Sequence, residues 1–208
     1  MLKFYWGIVV LCFLAACQAT QQIELSSDAA HQKTIKAHQA HLNEEYATKE
    51  TSPLDSVDLV NFEALEFFAI NSDFRVVASF KKQIKEVFKM KTTGERTPEY
   101  RQYGFLTFAL QGKQYRLNVY QNIKLSQTEE YKNYLFIPFK DDTNGSSSYG
   151  GGRYIDFEIP TQKYVILDFN KAYNPYCAYS SRYSCPIPPK ENDLTIEIKA
   201  GVKAWDEH

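Results

Sequence analysis

Seven polar side chains in the second half of the chain are of types that bind ligands or transfer protons. Arginine can hold an anion, aspartate can act as a general acid or base, and tyrosine and asparagine orient bound molecules by hydrogen bonding. They lie in two stretches, 149–156 and 168–174. Together they form a candidate pocket: Tyr149, Arg153, Asp156, Asp168, Asn170, Tyr173 and Asn174.

Arg153 and Asp168 give this set two interpretations. Asp168 ends an apolar stretch, so we expect it to be partly buried and to need a partner. A bidentate ion pair with Arg153 would lock two loops together and would be purely structural. In the alternative, Asp156 or Asp168 transfers protons while Arg153 clamps an anionic ligand. A pocket that holds both aspartates and Arg153, not paired with one another, would favour the second interpretation.

The positions of the histidines limit the catalytic chemistry. They are His31, His38, His41 and His208, so none lies between residues 42 and 207. A Ser-His-Asp or Cys-His site in that span therefore requires the N-terminal region or the tail to fold back and supply the base. His38 and His41, with Glu45, could form a surface metal clip, but a polar helix stripe is the simpler interpretation. No metal site is predicted.

The glycine-rich stretch 140–153 resembles known ion-binding loops only in part. A calcium loop aligned on Gly145 would place Lys140 at its first ligand position, where a cation is repulsive. The run from Gly150 to Arg153 could offer N–H groups to an anion. However, a strand is predicted after it, and nucleotide loops are followed by a helix.

The N-terminal segment predicts the compartment. Lys3 precedes a short apolar run that is below the roughly 20 residues of a membrane-spanning helix. The run ends Leu14-Ala15-Ala16-Cys17, which resembles the lipobox of bacterial lipoproteins. The resemblance implies a signal peptide over 1–16, cleavage before Cys17, and acyl chains such as palmitate that anchor Cys17 in a lipid bilayer. The alternative is an ordinary signal peptide with an incidental cysteine.

The predicted export and lipid anchor have consequences for the partners and the location of the protein. Gln18 stands where aspartate usually signals inner-membrane retention, which favours the periplasmic leaflet of the outer membrane in a cell that has one. Without residues 1–16 the chain keeps 23 basic and 25 acidic side chains (24 − 1 and 25 − 0). Such a balance gives no electrostatic footprint for nucleic acid. No cofactor is expected.

Two cysteines, Cys177 and Cys185, lie in a proline-rich stretch without periodicity. In an oxidising envelope this pattern predicts a disulfide, which would stabilise the fold by roughly 2.5 kcal/mol. The alternatives are a reactive thiol pair and half of a metal site, which would need two further soft or imidazole ligands.

Hydrophobic patterning predicts the fold. After a tether over 17–27, a helix over 28–50 carries the stripe His31, Ile35, His38, Leu42 and Tyr46. The remainder, 51–203, contains short apolar or alternating segments joined by short connections, including a hairpin at Gln111-Gly112-Lys113. We therefore predict a mainly β protein: an antiparallel sandwich or barrel of about nine strands behind an N-terminal helix.

Several ordered motifs resemble the family called domain of unknown function 1684. They are Leu135-Phe136-Ile137-Pro138-Phe139-Lys140-Asp141, Thr143-Asn144-Gly145, Tyr149-Gly150-Gly151-Gly152-Arg153-Tyr154-Ile155-Asp156, Asp168-Phe169-Asn170, Ala172-Tyr173-Asn174-Pro175, Cys177-Ala178-Tyr179, Cys185-Pro186, Pro188-Pro189, Glu191-Asn192 and Ala200-Gly201. The resemblance spans about residues 50–203. This chain has Ala64 and Val202 where the family usually has glycine and glutamate. The family has no assigned activity to carry over.

The sequence leaves two functions open. In the first, the protein is a membrane-tethered, non-catalytic β module that binds a small ligand or an envelope component. In the second, it is a histidine-free, carboxylate-dependent hydrolase with Asp156, Asp168 and Arg153 at its centre. Whether the protein is an enzyme, and with which catalytic residues, is not decided by the sequence.

Overall fold

The computed structural model describes residue 23 and residues 25–205. The predicted signal peptide, Cys17, most of the tether and His208 lie outside the described residues. Within the described part of the chain, no helix is both long enough and apolar enough to cross a bilayer.

The N-terminal helix, α1, runs from Asp28 to Ala47 and is three residues shorter than the predicted range. Ser27 caps its start by accepting a hydrogen bond from the Ala30 N–H. Its buried face consists of four residues of the predicted stripe: His31, Ile35, Leu42 and Tyr46. A short helix, α2 (Ser56–Asn61), follows before the sheet begins.

Eight strands form the sheet. They are β1 (Arg75–Lys82), β2 (Val87–Lys89), β3 (Glu99–Leu110), β4 (Lys113–Asn122), β5 (Tyr134–Asp141), β6 (Arg153–Glu158), β7 (Tyr164–Asp168) and β8 (Asp193–Leu194). The main path runs β6-β5-β4-β3-β1-β7, while β2 pairs with β3 and β8 pairs with β5. The pairing is antiparallel except between β5 and β8.

The sheet curls into a half-barrel, which confirms a mainly β, antiparallel fold with an N-terminal helix. Eight strands are observed among the described residues, where about nine were predicted. The predicted hairpin joins β3 to β4 through Gln111 and Gly112. Both residues have a positive φ, as the two central residues of a type I′ turn require.

The interior of the half-barrel is packed with buried aliphatic and aromatic side chains, among them Leu106, Leu117, Ile137, Ile155 and Phe169. Two further buried clusters lie outside it. One packs beneath α1 around Leu42 and Tyr46, and the other packs around Tyr100, Phe136 and Tyr154. The long loop 169–192, between β7 and β8, contributes to both.

Candidate functional site

A concave pocket of about 550 Å³ lies between α1, one side of the sheet and the long loop 169–192. We call it the tyrosine pocket, because eight aromatic rings line it: Tyr46, Tyr100, Tyr134, Phe136, Tyr154, Tyr173, Tyr176 and Tyr183. The rings come from α1, β3, β5, β6 and the long loop. Side chains alternate across a strand, so Tyr134 and Phe136 of β5 share one face, as do Tyr154 and Asp156 of β6.

Backbone pairing places the long loop against this wall. Tyr154 and Tyr173 exchange two backbone hydrogen bonds, of 2.9 and 3.0 Å, so the loop extends the edge of β6. Tyr173 is thereby positioned beside Asp156, two residues further along β6.

The hydroxyl groups of the pocket tyrosines are mostly used within the protein. Tyr134 and Tyr173 both donate to Asp156 Oδ1, at 2.6 and 2.5 Å. Tyr176 donates to Glu45 Oε1 at 2.8 Å, and Tyr154 donates to the Pro186 carbonyl. The pocket therefore presents aromatic ring surfaces more than free hydroxyl donors.

These phenols remain neutral donors. Burial raises the pKa of Tyr134 and Tyr173 well above the ordinary value, and the charge of Asp156 raises it further. Burial is also the main reason that the pKa of Tyr154 is raised. Because an ionised phenol would be repelled by the neighbouring carboxylate, the hydrogen bonds to Asp156 are maintained across the physiological range.

His38 reaches the pocket from α1. Burial is the main cause that lowers its pKa, and the charge of Lys171 lowers it further. The backbone of Lys171 acts in the opposite direction and raises this pKa, and within the described part of the chain Nε2 is buried without a hydrogen-bond partner. His38 is therefore a neutral group in the wall at pH 7.

A second groove, of about 590 Å³, adjoins the tyrosine pocket. The two share Tyr134, Asp156 and Lys171 as lining residues. At the far side of the groove, His31 Nε2 lies 2.7 Å from Asp168 Oδ2, and His31 is only 3% exposed. Helix α1 thus folds back onto the sheet and supplies two histidines, His31 and His38. The hydrolase interpretation assumed a histidine-free site, and this assumption is wrong.

The prediction of an ion pair between Arg153 and Asp168 is wrong. Arg153 is fully buried and pairs with Asp141 at 2.8 Å, while Asp168 pairs with His31. Arg153 also donates to the backbone carbonyls of Ile198 and Ala200. The reason is strand register: Arg153 lies opposite Phe139 of β5, two residues before Asp141.

Arg153 therefore has a structural role, because its hydrogen bonds connect the segment 198–202 to the sheet. It lines neither the tyrosine pocket nor the adjoining groove. The anion clamp that the hydrolase interpretation requires is absent at this position, and Asp168 is occupied by His31.

The structure separates the seven candidate residues. Asp156 and Tyr173 line the tyrosine pocket, and Asp168 lines the adjoining groove. Asn170 and Asn174 are buried and have structural roles. Asn170 forms hydrogen bonds with the backbone of Asn71, and Asn174 donates a hydrogen bond to the Lys203 carbonyl. Tyr149 lies against Cys177, outside the pocket.

Several lining residues were missed by sequence reasoning. They are His38, Glu45, Tyr46, Tyr100, Tyr134, Phe136, Tyr154, Tyr176 and Tyr183. The only signal in the sequence is the number of tyrosines, 15 in all, and a high tyrosine content is equally typical of β structure.

Cys177 and Cys185 are both free cysteines, so the predicted disulfide is not formed in the structure. The thiols are adjacent instead: Cys185 Sγ accepts the Cys177 N–H at 3.1 Å, and the Tyr149 hydroxyl lies 3.7 Å from Cys177 Sγ. A hydrogen bond from Cys185 is the main cause that lowers the pKa of Cys177 to about 6, while that of Cys185 is raised. Among the described residues, no group of three His, Cys, Asp or Glu side chains could hold a metal ion.

The fold and these motifs correspond to a known family. The family described as protein of unknown function (DUF1684) matches residues 60–203, and the chain belongs to it. An uncharacterised protein of Haloarcula marismortui, solved in solution by NMR, is similar in sequence and structure, with 31% identity and a TM-score of 0.66. The similarity covers 86% of this chain and 97% of that one. Among curated proteins, none matches the chain.

Proposed function

We propose that this protein is an exported lipoprotein, anchored through Cys17, whose β domain binds a small organic molecule in the tyrosine pocket. The observation that carries the binding proposal is the pocket itself. Eight aromatic rings line it, and four of its tyrosine hydroxyls are bonded within the protein.

The size and lining of the pocket suit a small ligand. Its volume of about 550 Å³ falls within the range of roughly 300–1,000 Å³ that is usual for such sites. Ring surfaces supply apolar contact area, and a few polar groups, here Asp156, Glu45 and His38, fix the orientation of a bound molecule. Tyr134, Tyr173, Tyr176 and Tyr183 are only half-buried, so a ligand could cover ring surface that is now exposed.

The hydrolase interpretation finds less support. Of its three residues, only Asp156 faces the tyrosine pocket, and its Oδ1 already accepts two phenol hydrogen bonds. A binding role needs no rearrangement of Arg153 or Asp168.

A thermal-shift screen of the full chain in non-ionic detergent tests the binding proposal. Small sugars, amines, carboxylates and nucleosides are the probes. At about 100 times its dissociation constant, a ligand adds roughly 2.7 kcal/mol to the free energy of unfolding. We expect at least one class to raise Tm, and we expect Tyr176→Ala to abolish the rise.

Tyr164→Ala is the matched control, because Tyr164 is a partly exposed tyrosine on β7 that does not line the pocket. It should leave the rise in Tm unchanged. A rise that is equal in the two variants would place binding elsewhere, and no rise with any probe class would contradict the proposal.

A further inference from the structure

We infer that the tyrosine pocket takes an organic cation, a small molecule that carries an alkylated ammonium group. This inference rests on the proposed function and names the class of its ligand. It follows from the ring surfaces, from the free carboxylate oxygens, and from the placement of the cations around the pocket.

The rings of the pocket meet at steep angles, so their faces have different orientations along its wall. Phe136 and Tyr154 have their centroids 4.6 Å apart with an interplanar angle of 75°, and Tyr154 and Tyr173 are 5.9 Å apart at 90°. On the other side, Tyr176 and Tyr183 are 5.2 Å apart at 60°. Aromatic faces carry negative electrostatic potential, and several of them around one space attract a cation and repel an anion.

Two carboxylates reinforce this preference. Asp156 and Glu45 each accept tyrosine hydroxyls on one oxygen, Oδ1 and Oε1. Among the described residues, the second oxygen of each has no hydrogen-bond donor, and neither carboxylate forms an ion pair. The phenols therefore hold the two carboxylates in place and leave a negative oxygen on each for a ligand.

Two cations also line the pocket, Arg96 and Lys171, but both are exposed. Arg96 is held by the Ser184 carbonyl. Solvent screens the charges of exposed side chains, which include both cations and Asp156. Glu45 is half-buried, so its charge is screened less. His38 adds no positive charge, because its pKa is lowered. The half-buried part of the pocket wall therefore carries the negative charge of Glu45 and no cation.

A set of three probes of equal shape and different charge tests the inference. Choline is the cation, dimethylbutanol is its neutral carbon isostere, and dimethylbutanoate is the corresponding anion. Each is titrated by calorimetry into the full chain in non-ionic detergent. We expect saturable choline binding, at least about tenfold weaker binding of the neutral isostere, and no binding of the anion.

Two variants on the same strand locate the effect. Asp156→Asn keeps the shape of the side chain and removes its charge, and we expect it to weaken choline binding about tenfold. Glu158→Gln is the matched control, because Glu158 is an exposed carboxylate of β6 that does not line the tyrosine pocket. It should leave choline binding unchanged, with Tm measured for both variants to confirm folding.

The outcomes separate this inference from the proposed function. Equal binding of all three probes, tighter binding of the anion, or no binding of choline overturns the cation assignment. In each of these cases the pocket proposal still stands if the screen yields another ligand whose binding is abolished by Tyr176→Ala. Equal losses in Asp156→Asn and Glu158→Gln also overturn it, because the effect would then be one of overall charge. If no probe of any class binds, the proposed function itself fails.

Discussion

At the scale of single residues, Asp156 organises the candidate site through one oxygen. Tyr134 from β5 and Tyr173 from the long loop both donate to Oδ1, so three separate segments are joined at one carboxylate. Charge-assisted hydrogen bonds of this kind are roughly twice as strong as neutral ones. Asp156 therefore positions two rings of the pocket wall while it keeps its other oxygen for a ligand.

The buried pair of Arg153 and Asp141 is structural, and its loss should be costly. We expect Arg153→Met to lower the free energy of unfolding by about 3–5 kcal/mol, because Asp141 would be left buried without its counter-charge. Chemical denaturation measures the change. The protein that remains folded should bind its ligand with unchanged affinity, since Arg153 does not line the pocket.

Arg182→Met is the control for this prediction. Arg182 also pairs with an aspartate, Asp55 at 2.9 Å, but both partners are about half-exposed. Exposed pairs contribute little, so the loss should be much smaller than for Arg153→Met. Equal losses in the two variants would contradict the structural role assigned to the buried pair.

His38 should make stability depend on pH. Its pKa is lowered in the folded protein, so below about pH 6.5 the unfolded chain binds the proton more readily. Proton binding at His38 has no effect on the free energy of unfolding at high pH. It lowers that free energy as pH falls through the ordinary pKa of histidine. We expect His38→Gln to reduce the loss of Tm between pH 7 and pH 5, with His41→Gln, at an exposed position on the next turn, as the control. An unchanged pH profile in His38→Gln would show that the buried imidazole is not responsible.

At the scale of elements, the long loop 169–192 supplies three of the eight rings of the pocket wall and also carries the thiol pair. In an oxidising envelope we expect Cys177 and Cys185 to close into a disulfide by two successive exchanges with the disulfide of an envelope oxidoreductase, which is reduced to two thiols, because the two cysteines already lie side by side. In the proposed lipoprotein, Cys12 leaves with the signal peptide and the sulfur of Cys17 carries lipid, so protein isolated without reductant should have no titratable thiol. After reduction it should have two and a lower Tm. Two reactive thiols before reduction would rule the disulfide out.

Elements that depend on local sequence were predictable, and the site was not. The stripe of α1 and the Gln111–Gly112 turn follow from residue spacing and backbone preference, and both are observed. The partner of Arg153 depends on strand register instead: Phe139 pairs with Arg153, which brings the end of β5, at Asp141, within reach. The tyrosine pocket draws its rings from five distant segments, so no spacing in the sequence could reveal it.

At the scale of the whole molecule, the half-barrel has two edge strands on its main path, β6 and β7. Both line the groove that adjoins the tyrosine pocket, and α1 contributes His31 and Thr34 to it. The candidate site is thus built where the sheet fails to close and where the N-terminal helix and the long loop cover the opening.

The same helix follows the predicted anchor, which makes acylation testable on the intact protein. We expect the full chain to incorporate labelled palmitate and to fractionate with membranes in a bacterial host, and Cys17→Ala to lose both properties. Cys12→Ala is the control, because Cys12 lies within the predicted signal peptide and should be dispensable. Label that persists in Cys17→Ala would contradict the anchor.

Binding of a small molecule in the tyrosine pocket can be observed at the rings themselves, by NMR of ring-labelled tyrosines. The labelled full chain is titrated with the tightest binder of the screen, and resonances are assigned by single Tyr→Phe variants. We expect saturable shifts of the resonances of Tyr134, Tyr173 and Tyr176. The resonances of Tyr115 and Tyr164, which lie outside the pocket, should not shift. Shifts confined to tyrosines outside the pocket, or no saturable shift at all, would contradict binding in the tyrosine pocket.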